Sequence, residues 1–263
     1  MLSQDEITDF RVNGFLRGGQ VLADHEVDVL RAELLRVIEE RDNRNRPQPV
    51  LLRNLSGDDS APVWQVVNIW QASELFCRLI SHPQITEEIA QLSDATEVRL
   101  WHDQIQYKPA HIGGVNMWHQ DAPFWPTLYP MNEVTAWVAL DDVDIDNGCM
   151  SMVPGSHLWG NEIEFLTALP SFDALPSEYK GHAVTVVPRP VKKGHVHYHH
   201  ALTWHGSHAN TSGRPRRAIA LHYMNQDTCY AASGEHVMKP FIEVGDGEKI
   251  QGRYFPLVYQ RGV

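Results

Sequence analysis

The first third of the chain carries apolar residues at a helical period. A helix is predicted over roughly 24–41, because apolar positions three or four apart share one helix face while charged residues lie between them. Ser3 and Glu6 form a capping-box signature for an earlier helix that ends near Gly14. Two shorter helices are predicted around 75–79 and 85–92. The apolar face of the longest predicted helix, which we interpret as core, consists of Val27, Leu30, Leu34 and Ile38.

From Glu97 onward the apolar pattern changes to a period of two, which is typical of β-strands. The fold class that follows is mainly β with flanking helices, and its core is a double-stranded β-helix of the jelly-roll, cupin-like type. We expect one domain over 1–263, with a helical N-terminal part over 1–95 and the β-helix core over 96–263. The stretch between Gly160 and Gly181 is interpreted as a loop that covers the barrel mouth. Further strands are predicted over roughly 133–143, 148–153, 182–188, 195–200, 202–206 and 216–225.

Composition narrows the class of protein without identifying it. Hydrophobic residues make up 43% of the chain and charged residues 21%, as in globular proteins. Asp and Glu total 33 against 22 Lys and Arg, and this net charge of −11 argues against a nucleic-acid partner. Three dispersed cysteines favour a reducing compartment. Because the sequence has neither a signal-peptide pattern nor an apolar run of about 18 residues, we expect a cytoplasmic location and no membrane partner.

The strongest chemical signal is the triplet His119-Gln120-Asp121, which a single histidine, His205, follows far downstream. On an extended segment, side chains two residues apart point to the same side, so His119 and Asp121 can bind one ion together. Two neutral imidazoles and one carboxylate form a facial set that suits Fe(II) and leaves coordination positions for substrates. The triplet alone also arises by chance in a chain with 15 histidines, so the prediction of a metal site depends on the residues downstream of it.

A predicted strand further along places an arginine where a ligand has room. Arg216, Ala218, Ala220 and His222 share one face of this strand, and the residues between them face the other way. A guanidinium beside two alanines leaves space in front of it, and its planar fork matches a carboxylate. This arrangement suits the distal carboxylate of a 2-oxo acid whose other end chelates iron.

Several motifs, in order and spacing, resemble those of the phytanoyl-CoA dioxygenase family, a branch of the Fe(II)/2-oxoglutarate-dependent oxygenases. The resemblance runs over most of the chain. The matching pieces are the opening stretch from Phe10 to Leu22, Trp118-His119-Gln120-Asp121, Ala136-Trp137-Val138-Ala139-Leu140, Asp146-Asn147-Gly148-Cys149, Val153-Pro154-Gly155-Ser156-His157, His205-Gly206-Ser207 with Asn210, and Arg216.

This resemblance implies an enzyme that uses Fe(II), 2-oxoglutarate and O2. Halogenating relatives carry a small residue in place of the metal-binding carboxylate, so its presence here favours hydroxylation. No catalytic residue beyond the metal ligands is implied. The implied metal ligands are His119, Asp121 and His205. The implied cosubstrate contacts are Arg216 and Trp137, together with Gln104 and Gln65 at positions where some relatives carry lysine or methionine.

Aromatic residues and histidines near the metal motif are the candidates for substrate contact. Aromatic side chains beside a strand are either core residues or a substrate wall, and the second interpretation favours an apolar or ring-bearing small molecule. Of the histidines between 195 and 208, His205 is the ligand, and His200 and His208 are predicted to orient ligating imidazoles rather than to form a second metal site. The predicted substrate contacts are His102, Trp118 and Trp125.

The function that these residues and the resemblance favour is hydroxylation of a small metabolite with release of succinate and CO2. Desaturation, epoxidation and ring formation use the same ligands and stay open. Two other classes also stay open: a zinc-dependent hydrolase with the same three ligands, and a catalytically silent protein that binds a metal and a 2-oxo acid. The sequence determines neither the substrate nor the oligomeric state.

Overall fold

The computed structural model describes residues 1–58, 60, 62–111 and 114–262. Twelve of the sixteen strands in these residues form two facing sheets of eight and four strands, the other four form two small two-stranded sheets, and helices pack outside the larger sheet. Within these residues, none of the helices is long and apolar enough to cross a bilayer. The helices are α1 (Gln4–Asn13), α2 (Asp24–Glu39), α3 (Glu74–Leu79), α4 (Pro83–Leu92) and α5 (Ile163–Thr167). The strands are β1 (Phe15–Gln20), β2 (Leu51–Asn54), β3 (Trp64–Val67), β4 (Glu97–Lys108), β5 (Asn116–His119), β6 (Leu128–Tyr129), β7 (Val134–Ala139), β8 (Met150–Met152), β9 (Glu178–Tyr179), β10 (His182–Ala183), β11 (Val187–Arg189), β12 (His195–His200), β13 (His205–Ser207), β14 (Arg216–Asn225), β15 (Cys229–Tyr230) and β16 (Leu257–Gln260).

The two sheets have the layout of the predicted double-stranded β-helix. The larger sheet runs in the order β1-β12-β7-β14-β4-β3-β2, with β16 also paired to β4. The smaller sheet runs in the order β11-β8-β13-β5. A cavity between them is lined by residues of both sheets. The inner faces of the two sheets therefore provide the walls of the functional site.

The hydrophobic core lies on the outer face of the larger sheet. Leu34 of α2 belongs to the same buried cluster as Val138 of β7 and Ile219 and Leu221 of β14. Because side chains alternate along a strand, Ala220, which lies between Ile219 and Leu221, faces the cavity instead. The predicted apolar stripe of α2 is thus core, and one strand serves both the core and the site.

The part predicted to be helical over 1–95 contains α1 to α4, but it also contains β1, β2 and β3, which were not predicted and which extend the larger sheet. Phe15 of β1 pairs with His199 of β12, and β3 pairs with β4. These strands are only four to six residues long, and β1 contains two glycines, so no period of two is visible in them. Short strands of this kind gain their order from hydrogen bonds to neighbouring strands, which local sequence does not reveal.

The stretch from 160 to 181 lies beside β5. Its helix α5 packs on β5, and the indole Nε1 of Trp118 donates a hydrogen bond of 2.7 Å to the carbonyl of Phe172. Thr167, at the end of α5, lines the larger of the cavities described below. One residue of the stretch therefore reaches that cavity, while its role as a cover stays a prediction.

A largely buried carboxylate, Asp141, ties α2 to β14. The guanidinium of Arg217 donates to both carboxylate oxygens of Asp141 at 2.8 Å, and Arg31 of α2 donates to Oδ1 at 2.6 Å. A carboxylate that accepts bidentate bonds from one guanidinium and a further bond from a second is strongly held. The network joins the outer helical layer to the strand that carries Arg216.

We expect Asp141→Ala to lower the free energy of unfolding by about 3 kcal/mol, because it leaves two guanidinium groups without their shared carboxylate. Asp28→Ala is the matched control, since Asp28 also pairs with Arg31 but its side chain is 63% exposed. The control should lose less than about 1 kcal/mol. Urea denaturation measures both, and equal losses in the two variants would contradict this account of the network.

Candidate metal centre and adjoining cavities

His119 and His205 meet across the ladder between β5 and β13. They are antiparallel register partners, and their ring centroids lie 4.1 Å apart. Asp121 lies beside them, with Oδ1 3.7 Å from Nε2 of His119 and 3.4 Å from Nε2 of His205. One ligand atom from each of the three residues lies within 4.8 Å of the others. The structure therefore brings the predicted metal ligands together.

Asp121 does not reach this position by strand alternation, as the sequence analysis assumed. β5 ends at His119, and Asp121 has helical dihedral angles of φ −72° and ψ −49° just before a short 3₁₀ turn. Its backbone amide donates a 2.8 Å hydrogen bond to the carbonyl of Ala201. The carboxylate is thus directed at the histidines by a turn that is anchored to a loop distant in sequence, a contact that local alternation does not reveal.

The imidazole orientations fit a divalent cation. Nδ1 of His119 lies 2.7 Å from the carbonyl of Met117, and Nδ1 of His205 lies 2.9 Å from the carbonyl of Thr203. A carbonyl only accepts, so each Nδ1 carries the proton and each Nε2 keeps its lone pair toward Asp121. Backbone carbonyls commonly orient ligating histidines in this way. The donor set is that of a facial two-histidine, one-carboxylate site.

The charges at this group also favour a cation. Burial raises the pKa of Asp121, but His205 and His199 outweigh it and hold that pKa well below its usual range. Loss of hydration, reinforced by His205, lowers the pKa of His119 to about 4. Burial lowers the pKa of His205, but Asp121 more than compensates and the pKa is raised overall. At neutral pH the group therefore contains a carboxylate anion beside a neutral His119.

His199 orients Asp121. The prediction that His200 and His208 orient the ligating imidazoles is wrong, because backbone carbonyls contact those ring nitrogens instead. Nε2 of His199 lies 3.1 Å from Oδ2 of Asp121, and the hydroxyl of Thr135 lies 3.4 Å from the same oxygen. His200 instead accepts a hydrogen bond from the amide of Leu202, and His208 packs on Phe172. His199 and His200 are neighbours on β12, so their side chains point to opposite faces of the sheet. Local sequence does not show which of the two faces the cavity, whereas the pairing of β12 with β7 does.

Arg216 lies in a narrow cavity of about 80 Å³ that also contains the three candidate ligands in its wall. Its side chain is 2% exposed, and its guanidinium carbon lies 5.0 Å from the ring centroid of Trp137. NH1 donates to Oε1 of Gln106 at 3.3 Å, and Nε has no partner among the described residues. Burial lowers the pKa of Arg216 to about 10, so the group stays cationic. A buried cation with open donors is a site for an anion.

Of the two glutamines predicted to contact the cosubstrate, only one lines the narrow cavity. Gln104 lines the narrow cavity, whereas Gln65 lines only the larger cavity next to it. Nε2 of Gln65 donates to Oε1 of Gln104 at 2.8 Å, and Arg53 donates to Gln65 at 2.7 Å. The sequence analysis missed Gln106, which lies beside Arg216. The sequence feature that could have identified Gln106 is its position two residues after Gln104, on the same face of β4.

The larger cavity, of about 680 Å³, shares His119, Asp121 and Gln104 with the narrow one, so the candidate metal group lies where the two meet. Its wall includes all three predicted substrate residues, His102, Trp118 and Trp125. His222 and His236 also line it, and the sequence analysis did not select them. His222 is the cross-strand partner of His102, with ring centroids 4.6 Å apart. His236 comes from the loop after β15 and carries no local motif.

Three comparisons connect this arrangement to known proteins. A family model of phytanoyl-CoA dioxygenase matches residues 10–218. The peroxisomal phytanoyl-CoA dioxygenase of Rattus norvegicus is 26% identical over 270 residues, which cover 94% of this chain and 76% of that protein. Phytanoyl-CoA dioxygenase domain-containing protein 1 of Danio rerio is 34% identical over 158 residues, which cover 58% of this chain and 54% of that protein.

Solved structures give the same fold. The non-haem α-ketoglutarate-dependent carbocyclase SnoK from nogalamycin biosynthesis is 28% identical with a TM-score of 0.79, over 98% of this chain and 97% of that one. The epimerase SnoN, solved with Fe³⁺, α-ketoglutarate and nogalamycin RO, has a TM-score of 0.73 at 24% identity over 97% and 98% of the two chains. The predicted fold class is confirmed, as is the predicted cofactor pair of iron and 2-oxoglutarate.

We expect His119→Ala, Asp121→Ala and His205→Ala each to abolish retention of one Fe(II) per chain, because two remaining ligands hold the ion weakly. His208→Ala is the matched control and should bind iron as the wild type does, since its half-exposed ring lies beside Asp173. Metal analysis after anaerobic loading and desalting measures the retained iron, and circular dichroism checks the fold. Iron loss in His199→Ala together with retention in His205→Ala would show that the distal ligand is misassigned.

Proposed function

This chain belongs to the phytanoyl-CoA dioxygenase family, and on that premise we propose that it hydroxylates a small, ring-bearing metabolite. The reaction consumes 2-oxoglutarate and O2 and releases succinate and CO2. The observation that carries the proposal is one narrow cavity whose wall contains both the His-Asp-His group and the buried, unpaired guanidinium of Arg216. A zinc hydrolase needs only the three metal ligands, so that function assigns no role to the guanidinium of Arg216.

In the proposed mechanism, His119 and His205 bind Fe(II) through Nε2, and Asp121 binds it through a carboxylate oxygen. Iron and 2-oxoglutarate, when bound together, supply O2 activation coupled to oxidative decarboxylation of the cosubstrate. Arg216 binds the distal carboxylate of 2-oxoglutarate with its planar fork, and Trp137 holds the guanidinium plane by packing against it. The position of the narrow cavity between two sheets limits the access of water to the buried Arg216 and His205.

The larger cavity supports a neutral, ring-bearing substrate. Apart from the proposed ligand Asp121, the only Asp, Glu, Lys or Arg residue in its described lining is Arg53, which is bonded to Gln65. Burial lowers the pKa of His222 to about 3 and that of His236 to about 4, so both rings are uncharged at neutral pH. Aromatic rings next to the metal group suit stacking against a planar substrate. The aromatic residues of this wall are Trp118, Phe124 and Trp125.

Ring formation is the second candidate reaction, because the carbocyclase SnoK covers nearly the whole chain at 28% identity. Hydroxylation and ring closure share the same metal ligands and the same initial hydrogen abstraction from a substrate C–H bond. They differ in how the substrate is held afterwards. Mass spectrometry of the product separates them, since hydroxylation adds one oxygen atom and ring closure removes two hydrogen atoms.

The proposed function predicts a visible charge-transfer absorption when the wild type binds Fe(II) and 2-oxoglutarate without oxygen. Admission of O2 should bleach this band and release succinate, slowly without substrate and faster with it. If iron-loaded protein at saturating 2-oxoglutarate gave the band but no succinate even with substrate, the silent binding protein would take the place of the oxygenase, and absence of both would overturn the oxygenase itself. Zinc-dependent turnover without 2-oxoglutarate would instead support the hydrolase.

Arg216→Ala should raise the 2-oxoglutarate concentration needed for this band at least about thirtyfold, because truncating one partner of a buried charge pair costs about 2–5 kcal/mol. Iron binding should be unchanged. Arg217→Ala is the matched control, since the neighbouring guanidinium faces the opposite side of β14 and binds Asp141. A loss of affinity in Arg217→Ala alone would refute the assignment of Arg216 to the cosubstrate.

A further inference from the structure

A buried lysine lies beside Arg216 and contacts Ser207, a residue in the wall of the narrow cavity. Lys108, the last residue of β4, is 1% exposed and is the antiparallel register partner of Arg216 on β14. We propose that Lys108 is a positioning residue for the cosubstrate, which orients Ser207 and selects 2-oxo acids that carry a distal carboxylate. This inference rests on the proposed function and assigns a role to a residue outside the predicted site.

The contacts of Lys108 determine how Ser207 presents its hydroxyl group. Nζ of Lys108 donates to Oγ of Ser207 at 3.1 Å and to the carbonyl of Gly114 at 2.8 Å. In its ammonium form Lys108 has donors only, so Oγ of Ser207 then accepts and its own proton is free to point elsewhere. Ser207 lines the narrow cavity together with Arg216. The hydroxyl can therefore donate to a carboxylate bound by Arg216.

The charges at this end of the cavity favour binding of an anion. Neither Lys108 nor Arg216 forms an ion pair with a described Asp or Glu, and residues 109–115 contain no carboxylate in the sequence. Burial, followed by the charge of Arg216, lowers the pKa of Lys108 to about 6. Two like charges buried side by side are unfavourable until an anion compensates them. A carboxylate at the end of the cavity restores the ammonium form of Lys108 and removes the repulsion.

The competing interpretation is a structural one, in which Lys108 only holds the segment after β4 through the carbonyl of Gly114. That role would affect every ligand of the cavity equally. A role in recognising the distal carboxylate affects only ligands that have one. The two interpretations therefore differ in the ratio of two dissociation constants, which a general loss of stability does not change.

The experiment titrates anaerobic, Fe(II)-loaded protein with 2-oxoglutarate and with 2-oxopentanoate, which has the same chain length but a methyl group in place of the distal carboxylate. In Lys108→Met, the dissociation constant for 2-oxoglutarate should rise about tenfold, as expected for loss of one hydrogen bond to a charged group. The constant for 2-oxopentanoate should stay within about twofold of the wild type. Lys192→Met, at an exposed lysine, is the matched control and should change neither constant.

Two further variants connect the effect to Ser207. Ser207→Ala should also weaken 2-oxoglutarate selectively, and in Lys108→Met/Ser207→Ala the combined loss should be smaller than the product of the single losses. Lys108→Gln keeps donors for Gly114 and Ser207 but has no charge, so it tests the charge itself if Lys108→Met does not fold. It should weaken 2-oxoglutarate selectively as well.

Three outcomes count against the role of Lys108. The ratio of the two dissociation constants is unchanged in the Lys108 variants, the affinity for both acids falls equally, or the loss in Lys108→Met/Ser207→Ala equals the product of the two single losses. Any of them, in a protein whose wild type gives the absorption band, overturns this inference and leaves the proposed function intact. Absence of the band in the wild type overturns the proposed function itself, so the two failures are distinguishable.

Discussion

The antiparallel pairing of β13 with β5 is the interaction on which the rest of this site depends. It places His205 opposite His119, so two residues far apart in the sequence share one cation position. Asp121 reaches the same position from the turn after β5, held by the hydrogen bond between its amide and Ala201. These contacts belong to the backbone of a closed structure, and the ligand geometry is therefore formed before an ion binds, which reduces the cost of binding.

The larger sheet links this site to the stability of the whole molecule through β14. Alternation along that strand sends Arg216, Ala218 and Ala220 into the cavity and Ile219 into the core beneath the helices. Arg217, on the outer face, joins the network of Asp141 that holds α2. A shift in the register of β14 by one residue would turn its cavity residues toward the core and its core residues toward the cavity. Packing of the core therefore favours the register that directs Arg216 into the narrow cavity.

Buried charge is the cost of this arrangement. Asp121, Lys108 and Arg216 lie in the interior, and the two cations have no described carboxylate partner. Buried charges are tolerated when they are paired, and in the proposed function the ligands would supply the pairing: a cation for Asp121 and a dicarboxylate beside Arg216 and Lys108. Binding and folding are therefore coupled, because any ligand that binds only the native state also stabilises it.

The sequence by itself determined the residues of the candidate centre, the fold class and the helical stripe of α2. It could do so because His119, Asp121, His205 and Arg216 lie in motifs whose chemistry is local and whose order is recognisable. Only the tertiary structure decided which neighbours complete the site. His199, Gln106 and Lys108 acquire their contacts from strands that pair across long separations, and period-two alternation tells which residues share a face but not which face turns inward. The strands within 1–95 were hidden for the same reason, since short strands take their order from a partner strand rather than from their own pattern.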